Sequence, residues 1–194
     1  MIPLLPEFYQ RFQDGSSLSQ RTLGTMLMNG NGCMRNYKLA GVYLKQSAEQ
    51  NNRYGLYNYG IMIQNGKGRE PNKEEAMKYF KRSADKGYPR ACFNYGTYLL
   101  ERGDGDSKRY MKRAADGGHD KAQIKYALLC EKDGDIGGAI KYLRMAVSQG
   151  NMMAEYQLGR ILQKIHDREF MMHIRIAADN GVAPAVEMYR RFVN

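Results

Sequence analysis

The sequence predicts an all-α protein, an array of antiparallel helix pairs with about 12 helices in total. Two observations predict this fold class. A dipeptide of an apolar and a small residue, Tyr-Gly in its clearest form, recurs every 31 to 36 residues along the 194-residue chain. Between these dipeptides, apolar residues recur at the spacing of amphipathic helices. A fixed period of this length is typical of helical repeat proteins, in which each unit packs mainly against its neighbours.

Three sequence features share this period. The first is the dipeptide, at Leu23-Gly24, Tyr59-Gly60, Tyr95-Gly96, Tyr126-Ala127 and Leu158-Gly159, with Tyr189-Arg190 at the sixth position, where the small residue is lost. The second is a small residue five positions before the second member of each dipeptide, at Ser19, Gly55, Ala91, Ala122, Ala154 and Ala185. The third is a pair of mostly small residues that is followed by a turn residue. The turn residues are Asn51, Gly87, Gly118, Gly150 and Gly181. Their coincidence indicates a genuine repeat.

Each repeat is predicted to contain two helices, which we call helix A and helix B. Helix A carries the dipeptide, and the small residues Ala91 and Gly96 allow another helix to approach it closely. A glycine inside a helix costs ~1 kcal/mol, so its recurrence indicates that close packing offsets that cost. Helix B is clearest over residues 72–86, where Asn72 is a start signal and Gly87 ends the helix. Its predicted buried stripe is Ala76, Tyr79, Phe80, Ser83 and Ala84.

These units define the domain organisation. We expect an N-terminal capping helix at 1–15, carrying Phe8, Tyr9 and Phe12, and a C-terminal capping helix at 182–194. Five repeats lie between them in one continuous array, at about 16–51, 52–87, 88–118, 119–150 and 151–181. The first two repeats have a long glycine-rich loop between helices A and B, and the later loops are about five residues shorter.

The recurring pattern is Ala-x-x-x-Tyr-Gly, then Gly-x-Gly, then Ala-x-x-Tyr-Phe-x-x-Ser-Ala-x-x-Gly. It resembles the Sel1-like repeat, a relative of the tetratricopeptide repeat (TPR), most closely over residues 55 to 87. The resemblance covers nearly the whole chain. It implies a right-handed α-solenoid with A helices lining the concave face, and an adaptor or scaffold role. Some secreted bacterial members of that family staple each unit with paired cysteines and have been called β-lactamases, whereas the three cysteines here occupy unrelated repeat positions.

Composition limits the compartment and the partners. The net charge of +10 favours an acidic partner, although a basic total also serves solubility. Cys33, Cys92 and Cys130 fit no disulfide framework, which predicts reduced thiols in a cytoplasmic protein. The first residues lack the basic and apolar regions of a secretory signal, and no apolar run reaches the ~18 residues of a membrane span.

No arrangement of residues in the sequence predicts catalysis, a cofactor or a metal site. Ser83 and Lys86 match a Ser-x-x-Lys motif, but its companion motifs are missing, and Ser83 occupies a small buried repeat position. His119, His166 and His173 lie in no metal-binding spacing. We expect His119 in a surface loop and His173 in or near the core, at the position of Tyr142. The sequence therefore predicts a protein that is not an enzyme.

The predicted binding site is the concave side of helix A. We number the positions of helix A from the second residue of its dipeptide. Positions −6, −2, +1 and +4 then form a stripe that faces away from the buried stripe of the same helix. The candidate partner-binding residues on this stripe are Tyr54, Asn58, Arg90, Asn94, Lys121, Lys125, Gln157 and Arg160. Stacked asparagine amides could clamp an extended peptide or join neighbouring helices, and the basic residues could attract an acidic peptide.

A second basic row lies on the outer face of helix B. Its members are Lys78, Lys81, Arg82, Lys108, Arg109, Lys112, Arg113, Lys141 and Arg144. This row supports an alternative function, which is binding of nucleic acid or of an anionic surface. Tyr79, Tyr110 and Tyr142 are predicted on the buried stripe, so exposed aromatic residues for base stacking are missing from this row. The sequence thus favours a protein partner over nucleic acid.

Overall fold

The all-α prediction is confirmed by the computed structural model, which describes residues 15–193. Within these residues there are eleven helices and no strand. The N-terminal capping helix predicted at 1–15, with Phe8, Tyr9 and Phe12, lies outside the described residues apart from Gly15. The helices are α1 Ser17–Asn29, α2 Tyr37–Glu49, α3 Arg53–Gln64, α4 Lys73–Asp85, α5 Pro89–Glu101, α6 Ser107–Asp116, α7 Asp120–Lys132, α8 Ile136–Val147, α9 Met152–Lys164, α10 Phe170–Asp179 and α11 Ala183–Val193.

The chain divides into two compact units, Met1–Tyr110 and Met111–Asn194. In the first unit, consecutive helices from α1 to α5 pack against each other, and α1 also packs against α3. In the second unit, consecutive helices from α7 to α11 do the same. The odd-numbered helices are the A helices of the sequence repeat, and the even-numbered helices are the B helices.

Helix boundaries follow from local capping. Asn36, Asn52, Asn72 and Asn151 each precede a helix and accept a hydrogen bond from a backbone N–H of its first turn. Helix α4 therefore begins one residue after Asn72, close to the predicted start. The turn residues after the B helices have a left-handed backbone, as at Gly87 with φ of 78°. These signals lie within a few residues of one another, which is why the sequence predicts them well.

The small residues of helix A create the close packing that the repeat predicts. A Cβ atom on Gly60 would lie 2.8 Å from Cε1 of Phe80 on helix α4. Gly24 and Gly159 are equally tight, with their partner side chains 2.7 Å from the added atom. Atoms cannot approach this closely without displacement, so a side chain at these positions would force helix B away. In these three repeats the core is thus a seam between helix A and helix B.

Buried serines join helix B to helix A within a repeat. The Ser83 hydroxyl is fully buried and donates a hydrogen bond to the backbone carbonyl of Arg53 at 2.7 Å. Ser47, at the same repeat position, donates to the carbonyl of Ser17 at 2.6 Å. In both cases helix B contacts the first residue of the preceding helix A. The predicted burial of Ser83 at a packing position is therefore confirmed.

Candidate partner-binding face

The predicted site residues lie at the surface or are half-buried. We call Tyr54, Asn58, Arg90, Asn94, Lys121, Lys125, Gln157 and Arg160 the A-helix row. In the first unit Tyr54 and Arg90 are exposed, while Asn58 and Asn94 are half-buried. In the second unit Lys121 is exposed, and Lys125, Gln157 and Arg160 are half-buried. Each unit therefore presents four residues of the row, two from each of two A helices.

The two asparagines of the row have different surroundings. The amide of Asn58 donates a hydrogen bond to the Thr25 hydroxyl at 3.0 Å and so joins α3 to α1. The amide of Asn94 instead lies beside the hydroxyl of Tyr57. Burial raises the pKa of Tyr57, and the Asn94 amide opposes part of that rise. Asn58 thus has the helix-joining role that the sequence left open. Asn94 also contacts the preceding helix A, through Tyr57.

A small cleft lies next to Asn94, and we call it the α5 cleft. Gln64, Asn94 and Thr97, which are all on the predicted stripe, form part of its wall. Phe93 and Tyr98 add aromatic surface, and at one edge Lys73 forms an ion pair with Glu101 at 3.1 Å. Its volume is about 160 Å³, well below the ~300–1,000 Å³ of typical cofactor and small-molecule sites. The cleft has room for a single side chain.

Tyr54 is the exposed aromatic residue of the row. Its ring packs edge-on against Tyr88, with centroids 4.9 Å apart. The guanidinium groups of Arg53 and Arg21 lie 4.9 Å and 5.6 Å from its centre. Arg53 also donates a hydrogen bond to the Tyr54 hydroxyl at 2.9 Å. These contacts hold an aromatic ring and two positive charges together at the surface of the first unit.

Arg160 is already bound by a carboxylate of its own chain. Glu131 on α7 accepts two hydrogen bonds from the Arg160 guanidinium and one from Lys164 at 2.7 Å. Chiefly because of the bonds from Arg160, the pKa of Glu131 falls to about 2. Gln157 accepts a further bond from Arg160 at 3.0 Å. The charge of Arg160 is therefore balanced internally, which lowers its capacity to attract an acidic partner.

Much of the basic row on helix B is also balanced by nearby acids. Lys81 pairs with Asp85 at 2.8 Å, and Lys112 pairs with Asp116 at 2.7 Å. Arg109 and Arg144 form further ion pairs with Asp106 and Glu169. Exposed pairs of this kind add little stability, but they reduce the positive field that a phosphate backbone would meet. The helix B row therefore presents a weaker positive field than its sequence suggests.

Two tyrosines and two aspartates form a motif that the sequence analysis missed. The Tyr110 hydroxyl donates to Asp85 at 2.7 Å, and the Tyr142 hydroxyl donates to Asp116 at 2.6 Å. Burial and the bond to Asp116 raise the pKa of Tyr142 to about 12. Each bond joins a helix B to the end of the preceding one. The signal in the sequence was the Asp that follows the small pair in two neighbouring repeats.

His173 forms a buried pair with Glu155, which the sequence analysis also missed. Nδ1 of His173 lies 2.6 Å from a carboxylate oxygen of Glu155, and each side chain is only 9% exposed. Glu155 occupies the repeat position of the buried Leu56, and His173 occupies that of Tyr142. The predicted burial of His173 is confirmed. Within residues 15–193, no group of three or more His, Cys, Asp or Glu side chains is placed to bind a metal ion.

No helix among residues 15–193 combines the length and apolar character that crossing a membrane requires. None of the three cysteines forms a disulfide within the described residues, and Cys92 and Cys130 are buried while Cys33 is half-buried. His119 caps the start of α7, where its Nδ1 accepts a hydrogen bond from the Ala122 N–H at 3.3 Å. It is half-buried rather than exposed in a loop, because this cap holds the ring against the helix.

Comparisons with known proteins agree with this fold. The family model described as Sel1 repeat matches residues 17–52, 53–88, 89–119 and 121–151. A comparison with curated protein sequences gives no match. Among solved structures, c5321, described as a protective antigen of uropathogenic Escherichia coli strains displaying an SLR fold, has a TM-score of 0.75 and 25% identity. That alignment covers 90% of this chain and 41% of c5321, so the chain spans about two fifths of that protein.

Two further structures share the fold. A Sel1 repeat protein from Oxalobacter formigenes has a TM-score of 0.75 at 22% identity, over 96% of this chain and 78% of that one. YrrB, described as a TPR protein with an unusual peptide-binding site, has a TM-score of 0.59 at 15% identity. That alignment covers 92% of this chain and 94% of YrrB. At these identities the likeness establishes the helical repeat architecture.

Proposed function

Because the chain belongs to the Sel1 repeat family, we propose that it is an adaptor or scaffold that holds a segment of a partner protein along the A-helix row. The Sel1 and TPR folds typically mediate protein–protein interaction, and such repeats are in general non-enzymatic scaffolds. The proposed role is therefore binding without catalysis. The proposed groove lies on the concave side of the A helices. The proposed location of the protein is the cytoplasm, where three cysteines without a disulfide would stay reduced.

The observation that carries this proposal is the α5 cleft. Phe93 and Tyr98 offer apolar surface for one side chain of a bound segment, and Asn94 offers both a donor and an acceptor for its backbone. A peptide site of this kind combines a pocket for one side chain with hydrogen bonds to the main chain. The volume of about 160 Å³ suits such a contact and is too small for a cofactor.

Charge supports an acidic segment as the occupant. Arg90 is exposed at the beginning of α5, and Lys121 and Lys125 lie on α7 in the second unit. No carboxylate within the described residues forms an ion pair with any of these three side chains. Their positive charges are available to steer a negatively charged segment, and the net charge of +10 acts in the same direction.

The test is a comparison of two double variants in affinity capture from cells followed by mass spectrometry. The groove variant combines Asn94→Ala with Lys125→Glu and removes one candidate contact from each unit. The matched control combines Lys78→Ala with Lys141→Glu, two exposed residues of helix B in the same two units. Far-ultraviolet circular dichroism of both variants checks that the helices are intact.

We expect the groove variant to capture at least tenfold less partner than the control does, with the helical circular dichroism signal unchanged. A groove variant that captures its partner as the wild type does would refute the proposal. Loss of the partner only in the control, with a steep salt dependence, would instead place the contact on helix B and favour an anionic surface or nucleic acid.

A further inference from the structure

The long loop between helices A and B of the second repeat does more than connect them. Two repeats with short loops pack their helix pairs, α7 with α8 and α9 with α10, without such a loop. Gly68 in this loop has a left-handed backbone with φ of 77°. A Cβ atom there would lie 3.0 Å from Cβ of Tyr37 and 3.1 Å from its carbonyl oxygen. The loop therefore lies directly on the first residue of α2, and only glycine allows that approach.

The loop, α2 and α3 form an open pocket of about 230 Å³, which we call the loop pocket. Four basic side chains line it, Lys38 and Lys45 from α2, and Lys67 and Arg69 from the loop. None of the described residues that line it is acidic. Lys38 is the second residue of α2, where the positive end of the helix dipole adds to the same field.

The four basic side chains are not equally available. Arg69 makes a bidentate ion pair with Glu75, at 2.9 and 2.6 Å, and Lys45 lies 3.8 Å from Glu49. Lys38 and Lys67 have no carboxylate partner among the described residues. The Lys67 ammonium lies 5.7 Å from the centre of the Tyr37 ring, which directs it over the pocket wall. Two positive charges of the loop pocket are therefore left for an external anion.

The rest of the wall is apolar or aromatic. Met62 and Tyr59 are almost fully buried at its base, while Val42 on α2 remains 50% exposed. Tyr37 closes the side next to the loop. A matching occupant therefore combines an apolar or aromatic stem with a group that carries two negative charges. The volume is below that of typical cofactor sites and is of the order of one side chain.

We propose that the loop pocket binds a phosphorylated side chain of a partner protein. A phosphate ester carries about two negative charges near neutral pH and matches Lys38 and Lys67, which act as point charges. The aromatic and aliphatic wall accepts the stem of that side chain. This inference rests on the proposed function only in taking a protein as the partner, because the loop pocket lies outside the A-helix row and is tested separately.

The test uses phenyl phosphate as the probe, at constant ionic strength, in a titration of ¹⁵N–¹H spectra of the full chain. We expect the amide signals of Gly41, Lys67 and Gly68 to move together, with binding in the millimolar range. Phenylacetate, which has the ring but one negative charge, should bind at least fivefold more weakly. Equal binding of the two probes, or shifts confined to other residues, would overturn the proposal.

Variants make the test specific for the two available lysines. Lys38→Gln combined with Lys67→Gln should weaken phenyl phosphate at least tenfold. The matched control, Lys78→Gln with Lys86→Gln, removes two exposed lysines of the same unit and should leave binding unchanged. Equal binding by the wild type and the pocket variant would contradict the assignment. Because this titration contains no partner protein, its result is independent of whether the A-helix row is the groove.

Discussion

Replacing Gly60 by Ala tests the seam between helix A and helix B. Gly60 lies in the middle of α3, and an added Cβ would lie 2.8 Å from Cε1 and 3.0 Å from Cδ1 of Phe80. Carbon atoms prefer a separation of about 3.5–4.0 Å, so Phe80 or α4 has to move by most of an ångström. Phe80 is fully buried and packs against Tyr57, with ring centroids 5.6 Å apart. It has little room to yield.

Two opposing effects set the size of the change. Alanine gains about 1 kcal/mol over glycine in helix propensity, and overpacking a core costs about 1–3 kcal/mol. The variant should therefore range from as stable as the wild type to about 2 kcal/mol less stable. Gly41→Ala is the matched control, because it lies inside α2 and its added Cβ meets only Cε of Met62, at 3.7 Å. That variant should gain close to the full 1 kcal/mol.

Urea and thermal unfolding followed by circular dichroism measure both variants. The predicted gap between them is about 1–3 kcal/mol, or about 2–12 °C in Tm for a chain of this size. Adding Phe80→Leu to Gly60→Ala should cost less than Phe80→Leu costs alone, because it opens room for the methyl group. If Gly60→Ala stabilises the protein as much as Gly41→Ala does, the close-packed seam is refuted.

Three further substitutions test other contacts by urea unfolding. Glu131→Gln removes a carboxylate whose pKa, about 2, lies below its ordinary value of 4.5. The ionised carboxylate therefore stabilises the folded protein above pH 4.5, and this stabilisation is lost as the pH falls towards 2. Between pH 4.5 and pH 2, the free energy of unfolding of the wild type should fall by about 3 kcal/mol more than that of this variant. Free energies of unfolding that fall in parallel for the two proteins would contradict the account. Ser83→Ala should cost ~1–2 kcal/mol by removing a buried hydrogen bond, and no loss would mean that this bond does not stabilise the repeat. Glu155→Leu should cost ~1–3 kcal/mol because it leaves the buried His173 without its carboxylate partner. Adding His173→Tyr should recover at least half of that loss. Equal losses of stability in the single and the double variant would exclude coupling between the two residues.

Local signals in the sequence predict much of the fold. The helix B predicted at 72–86 corresponds to α4 at Lys73–Asp85, because its cap, apolar stripe and terminal turn lie within one segment. The close approach at Gly60 follows from its recurrence at the repeat period. The predicted row is also surface-accessible, since the helical period fixes which side chains face away from the seam.

Pairings across repeats are what the sequence does not predict. Whether Asn58 binds a partner or Thr25 depends on the distance between two helices, which no local pattern contains. The pair of Glu131 and Arg160 lies in consecutive repeats, and each residue by itself resembles an ordinary charged surface residue. Repeat register would have given a clue, because opposite charges occupy positions +4 and +1 of neighbouring A helices.

The central claim is that a partner segment lies along the A helices. Hydrogen exchange of the chain, free and bound to its captured partner, tests it directly, because binding slows exchange of the backbone amides it covers. The account predicts protection of α3 and α5 in the first unit and of α7 and α9 in the second. Protection confined to α2, α4, α8 and α10, with α5 unchanged, would contradict it.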